Sequence, residues 1–302
     1  MISDMYENGG NTLHRFLDGH EHLAVFPFES QLGTGIANDF LSSLVPIRYR
    51  WPEFLAGVTP AEAYEQFWDE ELKTLLRVPD RSKFRASGVV MKEADRKAAF
   101  ADYCARHGVS RANLVAAYFH ATFAAWENFD RTGPKTHWVG YNPVQVLDAD
   151  KIFADFPDGH VIHVVRNPWS GYADTRKRPF PLSLPRYAWT WSLCQHLALT
   201  CRGKYAGRFH LVRFEELIAD PGAVLGRLLG DIGLPMSERC LSPSFNGAAL
   251  AEVYPWGTIR SPTPAANLAA ARSLSQEEQH SVLDDTRVMV DALGYADFLQ
   301  GA

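Results

Sequence analysis

The feature that most constrains the fold is the opening of the chain, where two strand patterns flank a glycine pair and a helix pattern. The first strand is predicted at Ile2–Tyr6, the helix at about Asn11–Gly19 and the second strand at Leu23–Phe28. Parallel strands need a crossover connection, which is usually a helix. The opening therefore predicts a parallel sheet.

Strand and helix patterns continue to alternate along the rest of the chain. Three further strands are predicted, at His137–Tyr141, Val161–Val165 and Phe209–Arg213. Helices are predicted from Thr59 through the apolar series Ala63, Phe67, Leu72 and Leu75, and at Lys92–Arg106, Ser110–Trp126, Val144–Phe156, Tyr187–Arg202, Pro221–Ile232 and Ser275–Leu293. This order predicts an α/β fold, a three-layer sandwich with a central parallel sheet. We expect one domain over 1–302, with a helical insert at about 52–130 that lies over one edge of the sheet.

Composition narrows the function classes. The net charge of −5 lacks the basic excess of nucleic-acid-binding proteins, so no nucleic-acid partner is expected. The chain has no long apolar window and no apolar stretch at its start, which favours a cytoplasmic protein without a membrane partner. The four cysteines form no C-x-x-C pair, and the histidines lack a metal-ligand spacing, so no metal is predicted.

The first candidate for chemistry is the loop between the first strand and the first helix. Gly9 and Gly10 let the backbone approach an anion closely, and the helix N-terminus adds partial positive charge. Thr12 adds a hydroxyl donor, and Arg15 adds a cation one turn later. The alternative is an ordinary tight turn in which Asn11 caps the helix. The loop lacks the G-K-[ST] ending of an ATPase loop, which weighs against an ordinary ATPase.

Two later segments also end strands with polar residues. Arg166 follows the strand at Val161–Val165, at the sheet edge where open α/β sheets bind ligands. Its planar guanidinium suits a phosphate, but a strand-end arginine paired with a carboxylate is an equal alternative. The segment from Phe209 to Leu217 runs from a strand into an acidic helix start, and Asp220-Pro221 opens the next helix.

In this order the segments resemble the sulfotransferases that use 3′-phosphoadenosine-5′-phosphosulfate (PAPS). Asn11-Thr12-Leu13 and Leu17-Asp18-Gly19-His20 are similar to the family's SGTTLL…LLDGHP opening. The other matches are Phe156-Pro157-Asp158 with Val164-Val165-Arg166-Asn167-Pro168, Val212-Arg213-Phe214-Glu215-Glu216-Leu217 with Asp220-Pro221, and Ile232-Gly233-Leu234. The resemblance spans residues 8–234 and implies a P-loop-like sulfotransferase fold.

The resemblance also implies roles for particular residues. The first loop would hold the 5′-phosphosulfate of PAPS through Gly9, Gly10, Asn11, Thr12 and Leu13. Arg166 would hold the 3′-phosphate. In the branch that resembles tyrosylprotein and bacterial sulfotransferases, a glutamate after the second strand is the general base, and Glu29 stands there. Without the resemblance, Glu29 reads as a surface glutamate at a strand end.

Two departures from the family pattern affect these roles. The first loop lacks the usual basic residue, so the charge that stabilises the leaving phosphate must come from Arg15, Lys135 or Arg260. Asp174 replaces the serine that follows the strand-end arginine, which leaves Ser170 or Thr175 to supply the hydroxyl.

Two further segments have two interpretations each. A late loop, 256–263, either closes over the nucleotide as a lid or is a surface turn. The basic run 176–178 either is a solvated face or adds to the electrostatic field at the 3′-phosphate.

The sequence thus predicts a metal-free enzyme that transfers a sulfuryl group from PAPS to a hydroxyl or amine of a small-molecule or glycan acceptor. Two alternatives stay open: a kinase-like P-loop enzyme that uses ATP and Mg²⁺, and a non-catalytic relative that binds nucleotides or anions. The acceptor and the oligomeric state stay open as well. Six aromatic residues either line an apolar acceptor pocket or belong to the core: Tyr49, Trp51, Phe54, Tyr118, Trp126 and Trp138.

Overall fold

The centre of the molecule is a five-stranded sheet, as described by a computed structural model of residues 1–36 and 39–300. The strands are Ile2–Asp4 (β1), Leu23–Glu29 (β2), His137–Tyr141 (β3), Val161–Val165 (β4) and Phe209–Arg213 (β5). They are all parallel and lie in the order β2-β3-β1-β4-β5. The predicted α/β fold with a central parallel sheet is confirmed.

Helices cover both faces of this sheet. They are Gly10–Leu17 (α1), Pro60–Gln66 (α2), Glu70–Arg77 (α3), Glu93–His107 (α4), Arg111–Ala125 (α5), Ala149–Asp155 (α6), Pro168–Thr175 (α7), Leu184–Lys204 (α8), Phe214–Ala219 (α9), Pro221–Ile232 (α10), Pro264–Arg272 (α11) and Gln276–Ala292 (α12). Among the residues that the structure describes, no helix has the length and apolar character to cross a membrane.

The alternation of side chains along β4 shows how the layers form. Val161 and Val165 belong to one buried cluster, together with side chains of α5 and α8. Ile162 and Val164 point to the other face and join a cluster with α1 and α10. Every residue of β4 is buried, as expected for a parallel strand covered on both faces.

The helical insert differs from the prediction at one point. The predicted helix after Thr59 is two helices, α2 and α3, and Asp69 separates them with a left-handed backbone φ of 43°. The Asp69 carboxylate is fully buried, forms an ion pair with Arg96 of α4 and accepts a hydrogen bond of 2.7 Å from the hydroxyl of Tyr118 of α5. These long-range contacts hold Asp69 in place and interrupt the helical pattern.

Other differences are local. The helix predicted at Val144–Phe156 begins as a 3-10 turn, and α6 starts only at Ala149, after a left-handed residue at Val144. A short antiparallel hairpin, Ser244–Phe245 (β6) with Ala248–Ala249 (β7), was not predicted. Nor was α11, which begins at Pro264, directly after the late loop 256–263.

Because the strands are parallel, β1, β2 and β4 all end at the same edge of the sheet. That edge carries Asp4 at the end of β1, Glu29 at the end of β2 and Arg166 directly after β4. It is the edge at which open α/β sheets bind ligands.

Candidate active site

A cleft of about 610 Å³ opens at this edge of the sheet. Its walls come from the first loop, the end of β2, the start of α3 with the segment after it, and the late loop near Trp256. Of the six aromatic residues singled out in the sequence, only Tyr49 lines this cleft. Trp51, Tyr118 and Trp126 are buried in the core, and Phe54 and Trp138 pack against it.

The first loop brings the start of α1 to the cleft. Gly9 precedes the helix with a φ of 100°, and a Cβ there would lie 2.1 Å from the ring of Phe214, so only glycine fits. Asn11 and Thr12 line the cleft, and the Asn11 Oδ1 and Thr12 Oγ1 atoms are buried without a hydrogen-bond partner among residues 1–36 and 39–300. The first-turn amides of a helix also lack intrahelical acceptors. The loop therefore offers free polar groups and the positive end of a helix to a ligand.

One amide of this loop is already used by the end of β1. The Gly10 N–H donates to the Asp4 carboxyl at 2.8 Å, and the Tyr141 hydroxyl donates to the same carboxyl at 3.0 Å. Burial, opposed by these two hydrogen bonds, raises the pKa of Asp4 to about 8. Asp4 is therefore mostly protonated at pH 7 and adds little negative charge below the loop.

Glu29 reaches the cleft beside a second carboxylate. The Glu29 backbone N–H donates to the Glu71 carboxylate at 3.0 Å, and Lys83 forms an ion pair with Glu71 at 2.9 Å. Burial and then the charge of Glu29 raise the pKa of Glu71 to about 7, against the opposing effect of Lys83. The end of β2 is thus fixed on α3, and two carboxyl groups face the same space.

The cations that line the cleft are not the three proposed from the sequence. Arg48 pairs with Glu70 at 2.8 Å, and Arg178 lies 3.8 Å from Glu7 and 4.7 Å from the ring centre of Tyr6. With Lys83 and Arg81, these side chains form the basic part of the wall. Of this set, the sequence pointed only to Arg178, as part of a basic run. Arg48, Lys83 and Glu71 come from loops and a helix start without a recognisable motif.

The three proposed cations lie elsewhere in the structure. Arg15 is fully buried; its guanidinium donates to the backbone carbonyl of Phe26 at 3.3 Å and lies over the Phe245 ring. Lys135 donates to the backbone carbonyl of His20 at 2.9 Å. Arg260 is exposed and lies 3.7 Å from Glu252. None of the three lines the cleft.

The Arg166 side chain is buried among other residues of the protein. Its Nη1 forms an ion pair with Asp174 at 2.8 Å and donates to the backbone carbonyl of Glu7 at 2.8 Å. Its Nε donates to the Asn267 side chain at 2.7 Å, and its guanidinium lies 4.9 Å from the ring centre of Phe214. A carboxylate partner is one of the two interpretations that the sequence left open for Arg166, and in this structure Asp174 is that partner.

The two hydroxyls proposed to assist Arg166 are also used internally. Ser170 donates to the backbone carbonyl of Asn267 at 2.7 Å, and Thr175 donates to that of Gly171 at 2.8 Å. Both residues are fully buried. The structure therefore brings Arg166, Ser170 and Asp174 together around α7 and α11, but outside the residues that line the cleft.

The late loop closes one side of the cleft. Trp256, Gly257, Thr258 and Ile259 line it, and the Trp256 ring packs 5.4 Å from that of Phe84. In the described part of the chain, no group of three or more His, Cys, Asp or Glu side chains is arranged to hold a metal ion.

The sequence matches one family profile over most of its length. The profile is described as the Sulfotransferase family and matches residues 33–238, more than half of the chain. The match begins after the first loop and Glu29, so it does not include those residues. No curated protein matches the sequence significantly.

Solved structures share the fold at low sequence identity. The sulfotransferase domain from the curacin biosynthetic pathway superposes with a TM-score of 0.53 at 14% identity and covers 97% of this chain and 96% of its own. The sulfotransferase domain from the Synechococcus PCC 7002 olefin synthase gives a TM-score of 0.55 at 18% identity, covering 96% and 93%. At 14% and 18% sequence identity, these similarities show a shared fold and nothing more.

Proposed function

The chain belongs to the sulfotransferase family, and on that premise we propose that it transfers a sulfuryl group from PAPS to a hydroxyl or amine of a small-molecule or glycan acceptor. The observation that carries the proposal is that Glu29 and the first turn of α1 line the same cleft of about 610 Å³. A base and an anion-binding helix start are thereby held next to the same substrate space.

The first loop fits the 5′ side of the donor. The Thr12 hydroxyl is buried at the cleft without a partner in the described chain, and the amides of Asn11 and Thr12 belong to the first turn of α1. A helix N-terminus with a free hydroxyl favours a phosphate or sulfate oxygen. The 3′ side does not fit in the same way, because the Arg166 guanidinium is already paired with Asp174.

In the proposed step, Glu29 takes the proton of the acceptor as the acceptor atom attacks sulfur. A bond forms between that atom and sulfur, and the bond from sulfur to the 5′-phosphate oxygen breaks, so the electron pair leaves with the phosphate. The first-turn amides and Arg178 would stabilise that charge. Positioning and electrostatics supply most of the rate enhancement in comparable group transfers.

The role of Glu29 is tested with Glu29→Gln, which keeps the shape of the side chain but cannot accept the proton. The rate to measure is the conversion of PAPS to adenosine 3′,5′-bisphosphate, detected by chromatography in the presence of a panel of phenols, sugars and amines as acceptors. We expect this rate to fall by about 10²–10⁴-fold in the variant. Calorimetric affinity for the bisphosphate should stay within about threefold, since a general base contributes little to ground-state binding.

The matched control is Glu277→Gln, at an exposed position of α12 away from the cleft, which should keep wild-type turnover. Full turnover in Glu29→Gln would exclude Glu29 as the base. Tight binding of ATP with Mg²⁺, with no binding of the bisphosphate, would replace the donor by a kinase-type nucleotide.

A nucleotide-binding protein without turnover is the second candidate function. The ion pair between Arg166 and Asp174 favours it. Asp174 occupies the arginine that was expected to hold the 3′-phosphate of PAPS, and a protein that does not use PAPS as a donor does not need that contact. Turnover with any member of the acceptor panel would exclude this candidate. Binding of the bisphosphate without turnover would support it.

A further inference from the structure

One buried ion pair bears on how the protein recognises the 3′ side of its donor. We propose that Asp174 takes the place of a phosphate on Arg166, so that the protein binds adenosine 5′-phosphate donors without gaining affinity from a 3′-phosphate. The inference rests on the proposed donor site and concerns its specificity. It makes Asp174 the residue that sets which class of adenine nucleotide is accepted.

The pair is enclosed rather than exposed. Arg166 is 2% exposed and Asp174 is 6% exposed, and Nη1 and Oδ2 are 2.8 Å apart. The second oxygen of Asp174 pairs with Lys177 at 2.5 Å. Each oxygen of the carboxylate therefore has a cation, and separating the pair would leave a buried charge without a partner.

The other contacts of Arg166 hold its guanidinium where it is. Asn267 of α11 accepts from its Nε, and the backbone carbonyl of Glu7 accepts from its Nη1. Asn267 also accepts from Ser170 through its backbone carbonyl and donates to Glu215 at 3.2 Å. These bonds tie α11 to α7 and to the end of β4, and they hold the Arg166 Nη1 atom beside Asp174, so a phosphate that binds Nη1 must displace that carboxylate.

Electrostatics lead to the same conclusion. A 3′-phosphate placed beside the buried carboxylate of Asp174 would meet a like charge where little water can screen it, which costs free energy. The cleft-lining cations Arg48, Lys83 and Arg178 also lie near carboxylates, but their side chains are 29%, 52% and 27% exposed, against 3% for Arg166. Affinity should therefore come from the 5′-phosphate end.

The test compares two nucleotides that differ only in the 3′-phosphate. Calorimetric titration of the wild-type protein with adenosine 3′,5′-bisphosphate and with adenosine 5′-monophosphate should give dissociation constants within about threefold of each other. In Asp174→Ser, which releases Arg166 and Lys177, the bisphosphate should bind at least about tenfold more tightly than the monophosphate, the effect expected of one charged hydrogen bond.

A second variant guards against loss of folding in Asp174→Ser. Asp174→Asn keeps an oxygen that accepts from Arg166 but removes the negative charge, and it should shift the ratio of dissociation constants in the same direction by a smaller factor. The control Asp158→Asn removes an exposed carboxylate and should keep the wild-type ratio.

The outcomes are distinct. A wild-type protein that binds the bisphosphate tenfold more tightly than the monophosphate overturns the inference and leaves the proposed function intact. Asp174 variants with the wild-type ratio overturn it as well. If neither nucleotide binds to any of the proteins, the proposed donor site itself is overturned, and the inference falls with it.

Discussion

At the scale of single residues, the end of β1 carries an unusual group, a carboxyl buried beneath the first loop. Asp4 has an ordinary pKa of 3.8, and burial raises it to about 8 in the folded protein. The folded state then binds a proton that the unfolded state releases above pH 4. The contribution of Asp4 to stability is therefore fully present below about pH 4 and is lost as pH rises through 8.

Because the stabilising contribution of Asp4 is lost as pH rises, we predict that the free energy of unfolding falls between pH 6 and pH 9. Asp4→Asn, which removes the ionisable group, should reduce that loss and raise the free energy of unfolding at pH 9 by about 1–3 kcal/mol relative to wild type. Urea denaturation of both proteins at the two pH values measures the effect. Part of the slope should remain, because burial raises the pKa values of Glu7 and Glu71 to about 7.

The control for this prediction is again Asp158→Asn, whose carboxyl is exposed and whose loss should leave the pH dependence unchanged. An Asp4→Asn protein as pH-sensitive as the wild type would show that Asp4 ionises without cost in the folded state.

At the scale of elements, a buried polar network ties the helical insert to the sheet. Asp69 between α2 and α3 pairs with Arg96 of α4. The Tyr118 hydroxyl of α5 lies between two acceptors, 2.7 Å from the Asp69 carboxylate and 2.6 Å from the backbone carbonyl of Ser30. Ser30 directly follows Glu29, and Glu71 lies two residues after Asp69. The network thus sets where α3 meets the end of β2, and so where the two carboxyl groups of the cleft stand.

We predict that Asp69→Asn destabilises the protein by about 3–5 kcal/mol, because it leaves the fully buried Arg96 without its counterion. Urea denaturation monitored by tryptophan fluorescence measures the change. Asp102→Asn, also in the insert, removes the partner of Arg106 where both side chains are more than half exposed. It should cost less than about 1 kcal/mol. Equal effects of the two substitutions would show that burial of the Asp69 pair does not matter.

At the scale of the whole molecule, the strands could be predicted from the sequence and the cleft only in part. Runs such as Val161–Val165 are apolar and β-branched, and a parallel sheet needs the intervening helices, so local pattern and topology agree. The first loop was equally visible, since two glycines precede a helix. Such local signals reach only as far as one loop and its neighbouring elements.

The rest of the site depends on contacts between distant segments. Arg48, which precedes the insert, and Lys83, which lies within it, follow no motif and are brought to the same cleft only by the tertiary fold. The break at Asp69 depends on Arg96 and Tyr118, which lie in other helices. For Arg166 the sequence permitted a phosphate or a carboxylate as partner, and only the fold shows that Asp174 is within 2.8 Å.

The division of the cleft between chain segments has a consequence for engineering. The first loop belongs to the β1–α1 unit, whereas the wall formed by Glu70, Glu71, Lys83 and Phe84 belongs to the insert. A chimaera that receives a relative's insert would exchange that wall and leave the helix start in place. The grafted segment would have to span at least Asp69 to Tyr118, since a shorter graft would divide the Asp69–Arg96–Tyr118 network between two parents.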